Sequence, residues 1–151
     1  MINYQKIAVH SIIICASSPV FAARFQQGKL SGPVEIADVV HDTFCQLLRF
    51  LYTSAAPELD NRSVEALFVA ADKYRVDALK DICEDYLVST LSIENVIHYL
   101  VWGHVYLALK LKAAAIVYLV YHRYKIWNRQ EWKELRRTYT DLYHEACDRM
   151  F

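Results

Sequence analysis

His10-Ser11-Ile12-Ile13-Ile14-Cys15-Ala16-Ser17-Ser18-Pro19-Val20-Phe21 is the stretch on which the reading of this chain turns. Within it, Ser18-Pro19 is a helix entrance: the serine side chain can cap free amides, and proline's fixed φ suits the first helical position, where no N–H is needed. A short helix through Phe25 follows. Upstream, Ile7 to Ile14 reads as a strand running into a helix. Downstream, Gly28, Gly32 and Pro33 break the chain, and Val34-Glu35-Ile36-Ala37-Asp38 alternates apolar and polar at period two, as a half-buried strand does.

From Asp42 the period becomes helical. Phe44, Leu47, Leu48 and Leu51 form one stripe, and beyond Pro57 a second is made by Val64, Leu67, Phe68 and Ala71. Asp77 caps a third helix carrying Leu79, Ile82, Cys83 and Tyr86. Ser92 opens a fourth with Ile93, Val96, Ile97 and Leu100 inward, and Gly103 is its expected end. A long helix to about His122 carries Leu107, Leu111, Ala114, Ala115, Tyr118 and Leu119. Asn128 and Glu131 make a capping box before Trp132 and Leu135, and Thr140 starts a last helix with Leu142 and Ala146.

The 151 residues are 55% hydrophobic, enough to fill a core, and 17 bases cancel 17 acids, so no global field draws the chain to nucleic acid or anionic lipid. The charge is nevertheless divided. Residues 57–95 hold nine acids against four bases, and residues 105–137 hold eight bases against Glu131 and Glu134. Cys15, Cys45, Cys83 and Cys147 are spread singly, which suits free thiols in a reducing compartment. Lys6 and the apolar run Ile7 to Ala16 outline a signal peptide, but His10 and Ser11 interrupt it; Asn61-Arg62-Ser63, a glycosylation sequon in a secreted protein, serves equally as helix-start chemistry. The longest clean apolar run, Ala113 to Tyr121, is too short to span a membrane.

No reactive constellation emerges. His98 and His104 are six apart, which does not place two ligands on one helical face, and His144-Glu145 begins a metalloprotease motif in which Asp148 stands where the second histidine belongs. Cys83 lies on an apolar stripe and Cys45 beside one, so both read as core. Asp81, Glu84 and Asp85 read as the solvated face of an amphipathic helix. The reading is therefore no catalytic residue, no cofactor and no metal. In the basic C-terminal third, Tyr118, Tyr121, Tyr124, Trp127, Trp132 and Tyr139 interleave with Lys and Arg, a pattern that can stack bases and bind phosphates. Their helical spacing favours core packing over nucleic-acid binding.

The order of particular residues says more. His10 to Phe21 resembles the H-x-x-x-L-x-x-x-S-P-V-F signature of BTB/POZ domains, and it is followed at the expected distances by Val34-Glu35-Ile36, by Phe44 with Leu47 to Thr53, and by Ala70-Ala71-Asp72-Lys73-Tyr74. Leu79 to Leu87 and Leu91 to Val96 are most similar to the speckle-type POZ subfamily. The resemblance implies an α+β, helix-rich fold: a BTB/POZ-like small sheet flanked by helices over 5–91, lacking the family's first helix and strand, and an all-α BACK-like extension over 92–151.

It also implies a non-enzymatic, intracellular protein of nucleus or cytoplasm. Such proteins dimerise with other BTB chains, dock a cullin-3 scaffold and present a substrate for ubiquitin transfer. Carried over by position, the cullin-facing residues are Phe25, Leu30, Tyr52, Pro57 and Tyr74. The hydrophobic-x-Glu motif of cullin-3 binders is absent from Gln26 to Pro33, where Leu30 alone offers an apolar contact. Two further readings stand beside the adaptor: a BTB pairing or scaffold module without cullin docking, and a basic helical nucleic-acid binder.

Overall fold

The computed structural model describes residues 5–27 and 34–151. Among them the regular elements are helices: α1 (Ser11–Ser17), α2 (Pro19–Gln27), α3 (His41–Thr53), α4 (Val64–Lys73), α5 (Asp77–Ser89), α6 (Val96–Val105), α7 (Leu109–Ile126), α8 (Gln130–Thr138) and α9 (Thr140–Met150). They form two compact units, residues 1–83 and 84–151, with the division falling inside α5.

The small sheet is overturned: no strand occurs among the described residues. Residues 34–37 do alternate, with Val34 and Ile36 half-buried and Glu35 and Ala37 exposed. Period two tells which side of a segment faces the protein, but a strand exists only when a neighbour takes its N–H and C=O groups. Residues 5–10 show the same point at one atom. The His10 amide, which a ladder would use, donates instead to the Tyr52 hydroxyl at 2.6 Å, and from Ser11 the chain is helical.

In the first unit, α1 packs on α2 and α3, and α3 packs on α4. The stripes read from the sequence are inside: Leu47, Leu48 and Leu51 of α3, Val64, Leu67, Phe68 and Ala71 of α4, and Leu79 and Cys83 of α5. Burying each such leucine contributes about 1.5–3 kcal/mol. The start of α4 is fixed one turn earlier than its first apolar residue. The Asp60 carboxylate accepts from the amides of Ser63 (2.7 Å) and Arg62 (2.9 Å), and these bonds hold it below the usual carboxylate range.

The second unit encloses Val96, Ile97 and Leu100 of α6, Ala115, Ile116 and Leu119 of α7, Trp132 and Leu135 of α8, and Leu142 and Ala146 of α9. Gly103 does not end α6, which continues to Val105. It marks the close approach of α6 and α7: a Cβ there would stand 3.0 Å from the Lys112 nitrogen and 3.2 Å from the Ala108 oxygen. The turn itself uses Leu107, left-handed at φ 55° and exposed rather than inward. The Ala108 amide reaches back to the Gly103 carbonyl at 2.9 Å. The α4–α5 turn has the same form, with Arg75 at φ 52° and the Val76 amide bonded to the Ala71 carbonyl at 2.8 Å. In both, a residue past the helix end turns left-handed and the next amide closes the last carbonyls.

Two other readings are corrected. Glu84 is not part of a solvated face: it is buried, and its carboxylate accepts from the Leu111 amide at 2.9 Å, satisfying one of the free donors at the start of α7. The Asn128–Glu131 capping box does not form; Arg129 precedes α8 without a side-chain cap, and Glu131 pairs with the Arg129 guanidinium at 3.2 Å. α7 runs on to Ile126 across a kink at His122, whose Nδ1 lies 2.8 Å from the Tyr118 carbonyl oxygen while its ring stacks on Tyr118.

Candidate interaction surface

His10, Ile14, Ser18 and Phe21 of the opening signature each have a structural task in the first unit. His10 is tied to the end of α3 through its amide, and its Nδ1 lies 3.2 Å from the same Tyr52 hydroxyl. Ile14 is buried. Ser18, fully buried, donates from Oγ to the Tyr74 carbonyl at 2.5 Å and accepts from the Phe21 amide at 3.3 Å, so one hydroxyl caps α2 and anchors it to the C-terminus of α4. Phe21 stacks on Tyr74 with centroids 4.5 Å apart and planes within 5°, and Phe44 meets both rings edge-on. The signature is a docking device for helices, not a chemical site.

The residues proposed to face a cullin fall in different settings. Tyr52 is exposed on the last turn of α3, and Phe25 and Pro57 are half-buried on α2 and in the segment after α3. Tyr74 is completely buried. Its hydroxyl donates to Asp38 at 3.1 Å, Arg24 lies 5.4 Å from its ring, and burial raises its phenol above the ordinary value against the opposing pull of Arg24. Leu30 lies outside the described residues. No hydrogen bond or ring contact joins Phe25, Tyr52, Pro57 and Tyr74 to one another. Asp38 was not singled out in the sequence, yet it also pairs with Lys73; an isolated aspartate after an apolar run carries no signal of its distant partners.

The first unit leaves several apolar side chains near the start of α1, and Tyr52, open to solvent. Ile12 is 84% exposed, and Ile7, Ile13 and Tyr52 are each exposed by more than a third. Burial pushes the Cys83 thiol up to about 12, which leaves it protonated and unreactive at neutral pH. No cluster of three or more His, Cys, Asp or Glu suited to a metal occurs among the described residues.

Helices joined by a serine cap, an aromatic stack and an apolar outer face define an interaction module, and comparison with known proteins agrees: residues 1–91 match the BTB/POZ domain. The chain belongs to the BTB/POZ family, a family of protein–protein interaction domains. It is 35% identical over 146 residues to TD and POZ domain-containing protein 3 of Mus musculus, covering 94% of this chain and 40% of that protein. Against TD and POZ domain-containing protein 5 of the same species it is 34% identical over 142 residues, covering 91% and 42%. The chain thus spans about two fifths of the length of these relatives. They are TD and POZ proteins, which places the chain in the wider family rather than in the speckle-type subfamily specifically.

Proposed function

We propose that the chain acts as a substrate-adaptor type of interaction module, pairing through its BTB/POZ unit and offering the Phe25–Tyr52–Pro57 side to a cullin-3 scaffold. The observation that supports this most directly is the family match over residues 1–91, together with a Tyr52 that is 40% exposed although its hydroxyl meets His10. Tyr74 enters as the floor that holds α2 in place and not as a contact. Residues 5–91 are assigned as the BTB/POZ part and 92–151 as a BACK-like helical extension. The motifs in Leu79–Leu87 and Leu91–Val96 support a speckle-type relationship within the family. Four free cysteines support an intracellular setting in nucleus or cytoplasm; no helix among the described residues is long and apolar enough to cross a membrane.

The test is a pull-down of the chain with the cullin-3 N-terminal region, with and without Leu30→Asp. Capture that the substitution weakens is the expected result. No capture by the unsubstituted chain removes cullin docking. Pairing without cullin is the second reading, favoured by the exposure of Ile7, Ile12 and Ile13. Light scattering after size exclusion checks it; a strict monomer that also ignores other BTB chains counts against it.

A further inference from the structure

The second unit contains a cavity of about 550 Å³ lined by Trp127, Asn128, Trp132, Lys133, Arg136, Arg137 and Tyr143. Its size lies within the ~300–1,000 Å³ typical of small-ligand pockets. α8 presents Trp132 with Arg136, and Lys133 with Arg137, each pair one helical turn apart. α9 brings Tyr143, and the segment after α7 brings Trp127. The two carboxylates of α8 are engaged elsewhere: Glu131 by Arg129 at 3.2 Å, and Glu134 by Gln130 at 3.3 Å. None of the three cations on the cavity wall is in an ion pair among the described residues. Arg136 does lie over the Tyr143 ring at 5.9 Å.

Cations in the last turn of α8 also suit the negative end of that helix, which accounts for the sign of Arg136 and Arg137. It does not account for the indole beside them. Trp132 is 2% exposed, and its Nε1–H makes no hydrogen bond of good geometry within the protein, standing only beside the Tyr143 hydroxyl. A buried donor left unpaired costs about 1–3 kcal/mol, so such groups are normally satisfied. Tyr143 adds a second donor: burial, then Cys147, raises its phenol above the ordinary value against the opposing pull of Arg136 and of the Trp132 indole, and it keeps its proton at neutral pH.

We infer that this cavity binds a phosphate monoester that carries a flat ring, the phosphate held by Lys133, Arg136 and Arg137 and the ring set among Trp127, Trp132 and Tyr143. A ligand oxygen within reach of the Trp132 indole offers it a better-placed acceptor than the Tyr143 hydroxyl beside it. Two sources share this chemistry, a phosphotyrosine side chain on a protein and a nucleoside monophosphate. A strand of RNA fits less well. It needs a row of open stacking faces, and of the aromatic walls only Trp127 is as much as 46% exposed. The site lies wholly within the second unit and does not depend on the adaptor reading.

The full chain, labelled with ¹⁵N, is titrated with phenyl phosphate, inorganic phosphate and phenol, following the three indole N–H resonances. Phenyl phosphate should bind at least tenfold tighter than either half alone and shift the Trp132 signal while leaving Trp102 in place. R136Q/R137Q, at exposed positions and with its fold checked by circular dichroism, should weaken binding at least tenfold. Equal affinity for phenyl and inorganic phosphate, or no loss in R136Q/R137Q, overturns the site. Oligouridylate binding more tightly than phenyl phosphate, with a steep salt dependence, overturns it in favour of an RNA surface. Competition by a tyrosine-phosphorylated peptide against uridine monophosphate then identifies the source; displacement by neither counts against the proposal.

Discussion

Replacing Ser18 with alanine removes a hydroxyl that serves two backbone groups in a buried place. The Tyr74 carbonyl loses its donor at 2.5 Å, and the Phe21 amide loses its cap at 3.3 Å. Loss of a serine cap costs about 1 kcal/mol, and leaving a buried acceptor unpaired costs about 1–3 kcal/mol. The longer of the two bonds is the weaker, so the sum expected for Ser18→Ala is about 2–3 kcal/mol. For a unit of 60–100 residues, each kcal/mol moves Tm by about 4–8 °C, so the shift is on the order of 10 °C. The assay is urea and thermal unfolding followed by far-UV circular dichroism, with the exposed neighbour replaced in Ser17→Ala as control. Trp102, Trp127 and Trp132 all belong to the second unit. Their fluorescence reports on that unit alone, and the loss must therefore appear in the dichroism. A Ser18→Ala chain within about 0.5 kcal/mol of the parent, or a Ser17→Ala chain equally weakened, would refute the assignment of the signature serine as an anchor between α2 and α4; an effect that small is what surface substitutions give.

Gly103→Ala should destabilise the second unit by about 1–3 kcal/mol, because the new methyl meets the backbone of Lys112 and Ala108 and not a side chain that could swing away; a thermal melt followed by tryptophan fluorescence reads it, and an unchanged Tm contradicts the close approach. Leu107→Gly should act in the opposite direction, adding about 1 kcal/mol, since the left-handed position penalises leucine and its exposed side chain gives little packing in return; denaturant midpoints compared with Leu107→Ala check the sign. Cys83 sets an alkaline limit. Its folded thiol is raised from the ordinary value near 9 to about 12, so the unfolded chain releases the proton first. The contribution is intact below pH 9 and is lost as pH rises from 9 toward 12. Cys83→Ala should flatten that part of a stability–pH curve, and an unchanged slope would place its cause elsewhere.

The sequence is most legible where the information is local. A stripe such as Val64, Leu67, Phe68 and Ala71 announces both a helix and the face it buries, and all four residues are inside. The Ser18-Pro19 entrance is equally readable, since cap and first turn lie within four residues. Partners across the chain are not written in this way. Val34 and Ile36 face inward as their alternation requires, but nothing in five residues says whether another strand runs alongside. Glu84 looks like its neighbours Asp81 and Asp85 until the Leu111 amide comes within 2.9 Å. The candidate surface divides on the same line. Tyr52 and Tyr74 are equally prominent in the family pattern, and only the packing of Phe21 and Phe44 separates the exposed ring from the buried one. The cavity of the second unit was visible only as a basic, aromatic composition. Its shape depends on three elements meeting, and the buried, poorly partnered indole beside its cations is a property of the fold.

The two long-range ties made by the signature also bear on the order in which the first unit can assemble. His10 reaches Tyr52 across 42 positions and Ser18 reaches Tyr74 across 56. Loop-closure entropy grows only with the logarithm of length, so the two closures differ by about 0.3 kcal/mol, and neither is favoured by chain entropy as the first step. Both of their targets are helix ends, the last turn of α3 and the C-terminus of α4, which exist only once those local helices have formed. The seating of α1 and α2 thus depends on the ends of α3 and α4 being formed, and both ties are lost with those helix ends.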